Sequence, residues 1–327
     1  MEQPRPDIIK NKDSLTTTKL RTHALLIAEA GWRAVDTKQL VKNSVRLEQA
    51  PQRLCVKAEV CSLAATRRIF AVCLGKCALP AAEALEEVLG EALVEGIVLD
   101  VQVPDSVQLK KFKYFRGTHP LPSDQNIAHT KEIVKLLSGL QAEDLVLFVI
   151  SGGGSTLLCL PEANGTCLEE RTIIETLLRS GATIQEINTI RKHLSLARGG
   201  FLAQAAYPAQ IISLIISDIP GDDISLVASG PTVKDTSTLD EADRVLEQYQ
   251  VLRVCGLDHC GLLETPKEDR YFEKVTNILL ATNQLGLEAM AVEATRLGYK
   301  PQIVTRALTG EARLVGDARG YLRIRCR

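Results

Sequence analysis

The sequence predicts an α/β protein built on a parallel, Rossmann-like sheet, and three observations carry that expectation. Two six-residue runs, Ile69–Leu74 and Leu145–Ile150, are apolar throughout and too short for a buried helix, as expected of strands covered on both faces. Each runs straight into a glycine-bearing loop, Gly75-Lys76 in one case and Ser151-Gly152-Gly153-Gly154-Ser155 in the other. The stretches between such runs have helical periodicity, and strands alternating with helices make right-handed βαβ units.

Residues 16–48 set Leu25, Ile27, Ala28, Trp32, Val35, Leu40 and Val41 at helical spacing, which predicts one amphipathic helix or a helical pair. After the first strand, Pro80 suits the opening turn of a helix over 81–94, and a second strand follows at 96–101. A helix near 127–140 leads into the strand at 145–150. The next helix, near 168–179, has Glu169 and Glu170 in its first turn and Gly181 just past its end. Thr183 and Glu186 form a T-x-x-E capping box that opens a helix from 184 to about 197. The run at 211–216 is a further strand, ending at Ser217-Asp218. Beyond Pro231 the texture changes. Residues 233–275 are polar and loop-rich around one helix at 240–249. Residues 277–305 then restart a strand–helix–strand pattern at 278–281, 289–297 and 302–304. This places a boundary near residue 235, with a domain over 1–235 and a second, apparently incomplete α/β domain over 236–327.

Composition narrows the function. A chain of 327 residues can hold two ordinary cores. Its 40 acidic and 39 basic residues nearly balance and aromatics are 4%, which argues against a nucleic-acid surface or a polybasic membrane face. The polar N-terminus has no apolar signal core, and no run reaches the ~18 apolar residues of a spanning helix, so a cytoplasmic location is expected. Nine cysteines without framework spacing read as reduced thiols. Cys255, His259 and Cys260 lack a fourth ligand at zinc-finger spacing. A small-molecule enzyme is the expectation.

In an open α/β sheet, ligands bind beyond the carboxyl ends of the strands. Lys76 sits where the positive end of a helix dipole disfavours a cation, so it is either a solvated turn residue or a partner for an anion held with the helix amides. The loop Ser151–Ser155 is the stronger signal. Gly152, Gly153 and Gly154 permit positive φ and can expose successive amides as an anion nest, although neither G-x-G-x-x-G nor a P-loop is present. Asp218, with Asp222 behind it, suits Mg²⁺ or the orientation of a substrate hydroxyl, or is simply an Asp-rich turn. Ser229, Gly230 and Thr232 form another tight, hydroxyl-bearing loop. Arg191, Lys192 and His193 complement a helix C-terminus, and His193 reads as a packing residue rather than a base. His119 lies in a Gly-Thr-His-Pro turn and reads as a surface turn residue, with contact to substrate as the alternative.

Taken together these segments resemble the MOFRL-type glycerate 2-kinase family. The motifs come in the family's order: LGKCA (74–78), GTHPLPS (117–123), DLVLFVISGGGSTLL (144–158), GATIQEINTIRKHLS (181–195), GGFLAQAAYP (199–208), ISDIPGDD (216–223), ASGPT (228–232), ATNQLGLEA (281–289) and LTGEAR (308–313). The resemblance implies a two-domain enzyme with its active site in the interdomain cleft. Such an enzyme transfers the γ-phosphoryl of ATP, with Mg²⁺, to the 2-hydroxyl of D-glycerate. It further implies that Lys76 neutralises anionic charge and that Ser151, Gly152, Gly153, Gly154 and Ser155 cradle an anion. Arg191 would clamp a carboxylate or the transferring phosphoryl group. Asp218 would hold Mg²⁺ or orient the hydroxyl, with Asp222 as a further metal ligand. Ser229, Gly230, Thr232 and Asn283 would line the ligand. The chain departs from the family in having Cys77 where an alanine is usual and in lacking the G-G-R-N-Q-E and D-G-T-D-A stretches. A shortened product, a subunit completed by another chain, or a ligand binder without turnover are the readings of that departure. A nicotinamide-dependent hydroxypyruvate reductase is disfavoured by the missing dinucleotide fingerprint. Homo-oligomerisation is left open.

Overall fold

The computed structural model describes residues 8–49, 52–63, 67–104, 106–162, 166–308 and 310. Its strands are β1 (Val45–Gln49), β2 (Gln52–Val56), β3 (Glu59–Ser62), β4 (Ile69–Leu74), β5 (Leu93–Asp100), β6 (Phe112–Arg116), β7 (Leu145–Ile150), β8 (Gln210–Ile216) and β9 (Val275–Ala281). The helices are α1 (Lys12–Leu15), α2 (Lys19–Ala34), α3 (Thr37–Ser44), α4 (Ala78–Leu89), α5 (Asp124–Ser138) and α6 (Gly154–Leu157). They continue with α7 (Cys167–Arg179), α8 (Ile184–His193), α9 (Phe201–Ala206), α10 (Leu239–Gln248), α11 (Val251–Cys255) and α12 (Asn283–Arg296).

The six-stranded sheet has the order β6-β5-β4-β7-β8-β9, and the pairs from β6 across to β8 are parallel. Reading outward from β4 in both directions, this is the doubly wound order whose switch point falls between β4 and β7. Those two strands are fully buried, and their register runs Ile69↔Leu145 to Leu74↔Ile150. They end in step, so their loops emerge side by side. The α/β class and the parallel sheet expected from the sequence are present. A second, antiparallel sheet of β1, β2 and β3 stands beside it.

Packing follows composition. Helix α4 turns Ala78, Ala81, Ala82, Ala84, Leu85 and Leu89 into the core, and its alanines allow close approach to Ile69, Ala71 and Cys73 of β4. Burying one Leu such as Leu85 contributes about 1.5–3 kcal/mol. A second cluster joins α7, α8, α10 and α11 through Ile173, Leu177, Ile187, Ile190, Leu246 and Val251. Three of these helices start with the same device. Thr166, Thr183 and Thr238 each accept from the N3 amide, while Glu169, Glu186 and Glu241 return to the cap amide.

Several expected elements differ. The periodic stretch at 16–48 is a helical pair, α2 and α3, one of its two expected forms, but its last residues leave the helix for β1 and join the β-ladder with β2. The helix opened by Thr183 ends at His193 rather than near 197. Beyond it the Ser195 hydroxyl donates to Leu158 O and accepts from Leu160 N, which draws the backbone into a loop. Strand β9, expected to open a new unit, is the sixth strand of the main sheet. Residues 302–304, expected as a strand, belong to no β-ladder.

Two compact units are distinguishable. One takes residues up to Asp36, Asp218–Asp222 and those from Ala281 onward; the other takes Thr37–Ser217 and Asp223–Leu280. This division follows a different line from the expected boundary near residue 235. In the first unit α2 and α12 touch where a Cβ on Gly31 would lie 2.7 Å from Met290 Cγ, and Glu29, buried, accepts from Lys12 Nζ at 2.9 Å and Ile8 N at 2.8 Å. Among the described residues no helix is long and apolar enough to cross a membrane.

Candidate anion site at the switch point of the sheet

The loops after β4 and β7 are locked together by backbone geometry. Gly75 adopts φ +108°, and a Cβ there would lie 2.3 Å from Ser151 Oγ and 2.5 Å from Ser151 O, so only glycine fits. Ser151 N donates to Leu74 O at 3.0 Å and Lys76 N donates to Gly152 O at 3.0 Å. The Ser151 hydroxyl accepts from Cys77 N at 3.1 Å, and Asp100 at the end of β5 accepts from Leu79 N at 2.9 Å. Ala78 N donates to Gly75 O at 3.2 Å. The first amides of α4 are therefore already satisfied by the protein. The expected capture of an anion by those amides does not form, because a serine hydroxyl and a carboxylate take them first. What remains for a ligand is the Lys76 ammonium, exposed and without an ion-pair partner among the described residues.

The triglycine loop keeps its amides open. Gly153 adopts φ +86°, and only Gly154 N makes a local bond, to Ser151 O at 3.3 Å. The amides of Gly152, Gly153 and Ser155 donate to no other described residue, which leaves a nest of N–H groups. The Lys76 stem crosses this nest: a Cβ on Gly153 would lie 3.1 Å from both Lys76 Cγ and Lys76 Cε, and 3.5 Å from His119 Cδ2. His119 is exposed, as a surface turn residue should be, and its ring also stands against the nest. Buried Asn126 holds it there, accepting from Thr118 N at 2.9 Å and donating to Thr118 O at 3.1 Å and Thr156 O at 2.9 Å. A lone asparagine in the first turn of α5 gave no signal of that role.

Behind the nest runs the loop of residues 228–232. Ala228, Ser229 and Gly230 are consecutive left-handed residues with φ of 52°, 59° and 59°. Two of them carry side chains, at a cost of about 1–2 kcal/mol each. Gly199 N and Gly200 N hold this backbone by donating to Ser229 O at 2.8 Å and Gly230 O at 2.9 Å. A Cβ on Gly154 would lie 2.5 Å from Ala228 Cβ, so the strained loop and the nest touch. Ser229 Oγ lies 2.9 Å from Ser155 Oγ and 2.8 Å from Asn188 Oδ1. Thr232 is fully buried; its hydroxyl accepts from Ser213 at 3.0 Å and donates to Asn277 Oδ1 at 2.8 Å, which ties β8 to β9.

Helix α8 supplies charge. Arg191 follows Asn188 by three residues, so both share the face of α8 that meets the Ser229 loop. Its guanidinium makes no ion pair with a described residue, and burial, then the nearby Arg198 charge, lowers its pKa against the opposing pull of Glu170. Arg198 is fully buried, 2.8 Å from Glu170 Oε1, and donates to Arg191 O at 3.0 Å. Lys192 turns away into a buried pair with Asp235 at 2.9 Å. His193 uses both ring nitrogens, on Leu263 O at 2.6 Å and Ser237 Oγ at 3.2 Å, in keeping with a packing role.

The remaining expected residues lie in the other compact unit. Asp218 is exposed, Asp222 adopts φ 57° after Gly221, and Asn283 Nδ2 donates to Arg306 O at 2.9 Å. Among the described residues no three His, Cys, Asp or Glu side chains converge to hold a metal alone. The motif at 308–313 lies largely outside the described residues.

A doubly wound sheet defines the class, an α/β protein whose switch-point loops carry open glycine amides and a Lys76 that has no ion-pair partner among the described residues. The family model described as "Domain of unknown function (DUF4147)" matches residues 23–256. A glycerate 2-kinase of Pyrococcus horikoshii is 37% identical over 301 residues, which cover 89% of this chain and 66% of that protein. A protein of Agrobacterium vitis with the provisional name hydroxypyruvate reductase is 38% identical over 257 residues, covering 76% of this chain and 57% of its own length. The crystal structure of glycerate kinase from Thermotoga maritima matches with a TM-score of 0.75 at 32% identity, over 91% of this chain and 67% of that one. The chain belongs to this DUF4147 family, the one its motifs resemble, that of the glycerate 2-kinases. It spans less than two thirds of the length of the curated relatives just described.

Proposed function

We infer that the protein works as a glycerate 2-kinase, phosphorylating D-glycerate on its 2-hydroxyl with ATP and Mg²⁺ to give 2-phosphoglycerate. The observation that carries this reading is the Lys76 stem packed against Gly153 in the loop whose Gly152, Gly153 and Ser155 amides are open. Phosphoryl transfer asks a protein chiefly for positioning and for charge stabilisation. An ammonium beside an amide nest, with no ion-pair partner among the described residues, supplies the second. Arg191 adds a guanidinium with no carboxylate salt bridge among the described residues, suited to a carboxylate or a phosphoryl group.

The acidic residues suit Mg²⁺, which takes one or two protein carboxylates and completes its shell with water and phosphate oxygens. Asp218 and Asp222 are that number of carboxylates. Bound Mg²⁺ would neutralise charge on the transferring phosphoryl group. Asn283 is proposed to add a ligand contact. Because the chain spans only part of its relatives, turnover and ligand binding are separate questions.

A coupled assay for ADP with ATP, Mg²⁺ and D-glycerate tests the kinase reading. Turnover that vanishes in Lys76→Ala is the expected result. Folded protein that releases no ADP removes the catalytic claim, and calorimetric D-glycerate binding in that protein would leave a binding module. The relatives' reductase name makes NADH oxidation with hydroxypyruvate a necessary control, and none is expected.

A further inference from the structure

Asn188, Ser229 and Ser155 stand in line behind the glycine nest, and counting their protons gives the line a direction. Ser229 is fully buried and Asn188 nearly so. Asn188 Nδ2 faces the Ser225 carbonyl at 3.5 Å, and that oxygen can only accept. Turning the amide over would set two acceptor oxygens against each other, so Asn188 Oδ1 is the atom that meets Ser229, at 2.8 Å. An amide oxygen donates nothing. The single proton of Ser229 therefore goes to Asn188. The 2.9 Å contact from Ser229 Oγ to Ser155 Oγ is then a hydrogen bond only if Ser155 donates.

The consequence falls on the half-buried end of the line. With its proton directed inward, Ser155 Oγ turns only lone pairs toward the loop it shares with Gly152 and Gly153. We propose that Ser155 is a specificity residue whose hydroxyl accepts a proton from a hydroxyl of a small hydroxy acid and does not hold an anionic oxygen. This revises the cradling role its motif suggested and rests on the glycerate reading above. Anionic oxygens are left to the amides of Gly152, Gly153 and Ser155 and to Lys76, which carry hydrogens to give. Asn188 and Ser229 act only by setting the direction of the Ser155 proton.

Two measurements test this. Neutron diffraction from deuterium-exchanged crystals of the unliganded chain reads the proton order whatever the protein catalyses. The Ser155 deuteron is expected to point at Ser229, and the Ser229 deuteron at Asn188. A Ser155 deuteron pointing into the loop overturns the proposal. Calorimetry then compares D-glycerate with propanoate, which keeps the carboxylate and lacks the hydroxyls, and with inorganic phosphate. Ser155→Ala should weaken D-glycerate about tenfold, the loss of one good hydrogen bond, and leave propanoate and phosphate within about twofold. Unchanged D-glycerate affinity, or an equal loss for phosphate, overturns the assignment while the glycerate reading stands. A wild-type chain that binds phosphate but no D-glycerate overturns both.

Discussion

Lys76 and Gly75 are neighbours with opposite relations to the fold, and substitution separates them. The Lys76 ammonium is exposed and unpaired, so Lys76→Ala should leave the urea midpoint unchanged and remove the proposed turnover. Gly75 is held at φ +108° with Ser151 Oγ 2.3 Å from any added Cβ. Gly75→Ala should therefore destabilise by about 2–5 kcal/mol, from strain plus overpacking against backbone. Gly153→Ala is the contrast: at φ +86° it meets the flexible Lys76 stem at 3.1 Å and His119 Cδ2 at an ordinary 3.5 Å, and should cost about 1–2 kcal/mol. Equal costs for the two in equilibrium unfolding would contradict the locked-loop geometry. Lys76 and the three glycines were legible in the sequence because a cation and a glycine run after a buried strand are rare combinations. Asn188 and Asn126 were silent, because a lone asparagine within a helix looks the same whether it faces water or a buried hydroxyl.

Helix α4 shows how an element can be positioned by another strand's side chain. Its N-cap, Cys77, makes no side-chain capping bond, and Asp100 from β5 accepts the Leu79 amide instead. Asp100→Ala should cost about 1–2 kcal/mol as a lost cap, with Asp100→Asn retaining most of it. Thermal denaturation of the pair distinguishes this from loss of a charge alone. No local pattern announces such a cap, since the two residues lie 21 positions apart. The box at Thr183 and Glu186 was readable because both partners sit within four residues. Strand β6 escaped notice for another reason. Its burial alternates irregularly at a sheet edge, and FKYFR has neither a buried run nor a helical period.

At the scale of the sheet-bearing unit, a buried ionic knot fastens the end of α8. Asp235 pairs with Lys192 at 2.9 Å and accepts from Ser237 Oγ at 2.7 Å and Thr265 Oγ1 at 3.1 Å. Burial alone would raise this carboxyl, but the Ser237 hydrogen bond and the Lys192 charge outweigh it and hold it below the ordinary carboxylate range. Removing Asp235 strands Lys192 in the interior, so Asp235→Ala should cost about 3–5 kcal/mol by urea unfolding at neutral pH. A depressed carboxyl gives its full stabilisation above its unfolded pKa of about 3.9 and loses it as pH falls through the lower folded value. The gap between wild type and Asp235→Ala should thus stay constant above about pH 5 and narrow in stronger acid. A gap that persists unchanged in acid would assign the loss to packing.

By itself the sequence determined the fold class, strands β4, β7 and β8, the capped start of α8 and the family. Each of these is written in residues close along the chain: a buried run, a Thr-to-Glu spacing, a glycine loop. Only the tertiary structure decided what the loops can do. It showed that Ser151 and Asp100 take the α4 amides, that β9 completes the main sheet, and that Thr232 works between strands. It also brought His119 to the nest and set a direction on the Ser155 proton. Those outcomes depend on which acceptor reaches a given N–H first. That is a matter of distance in space between residues far apart in sequence, and no local spacing encodes it.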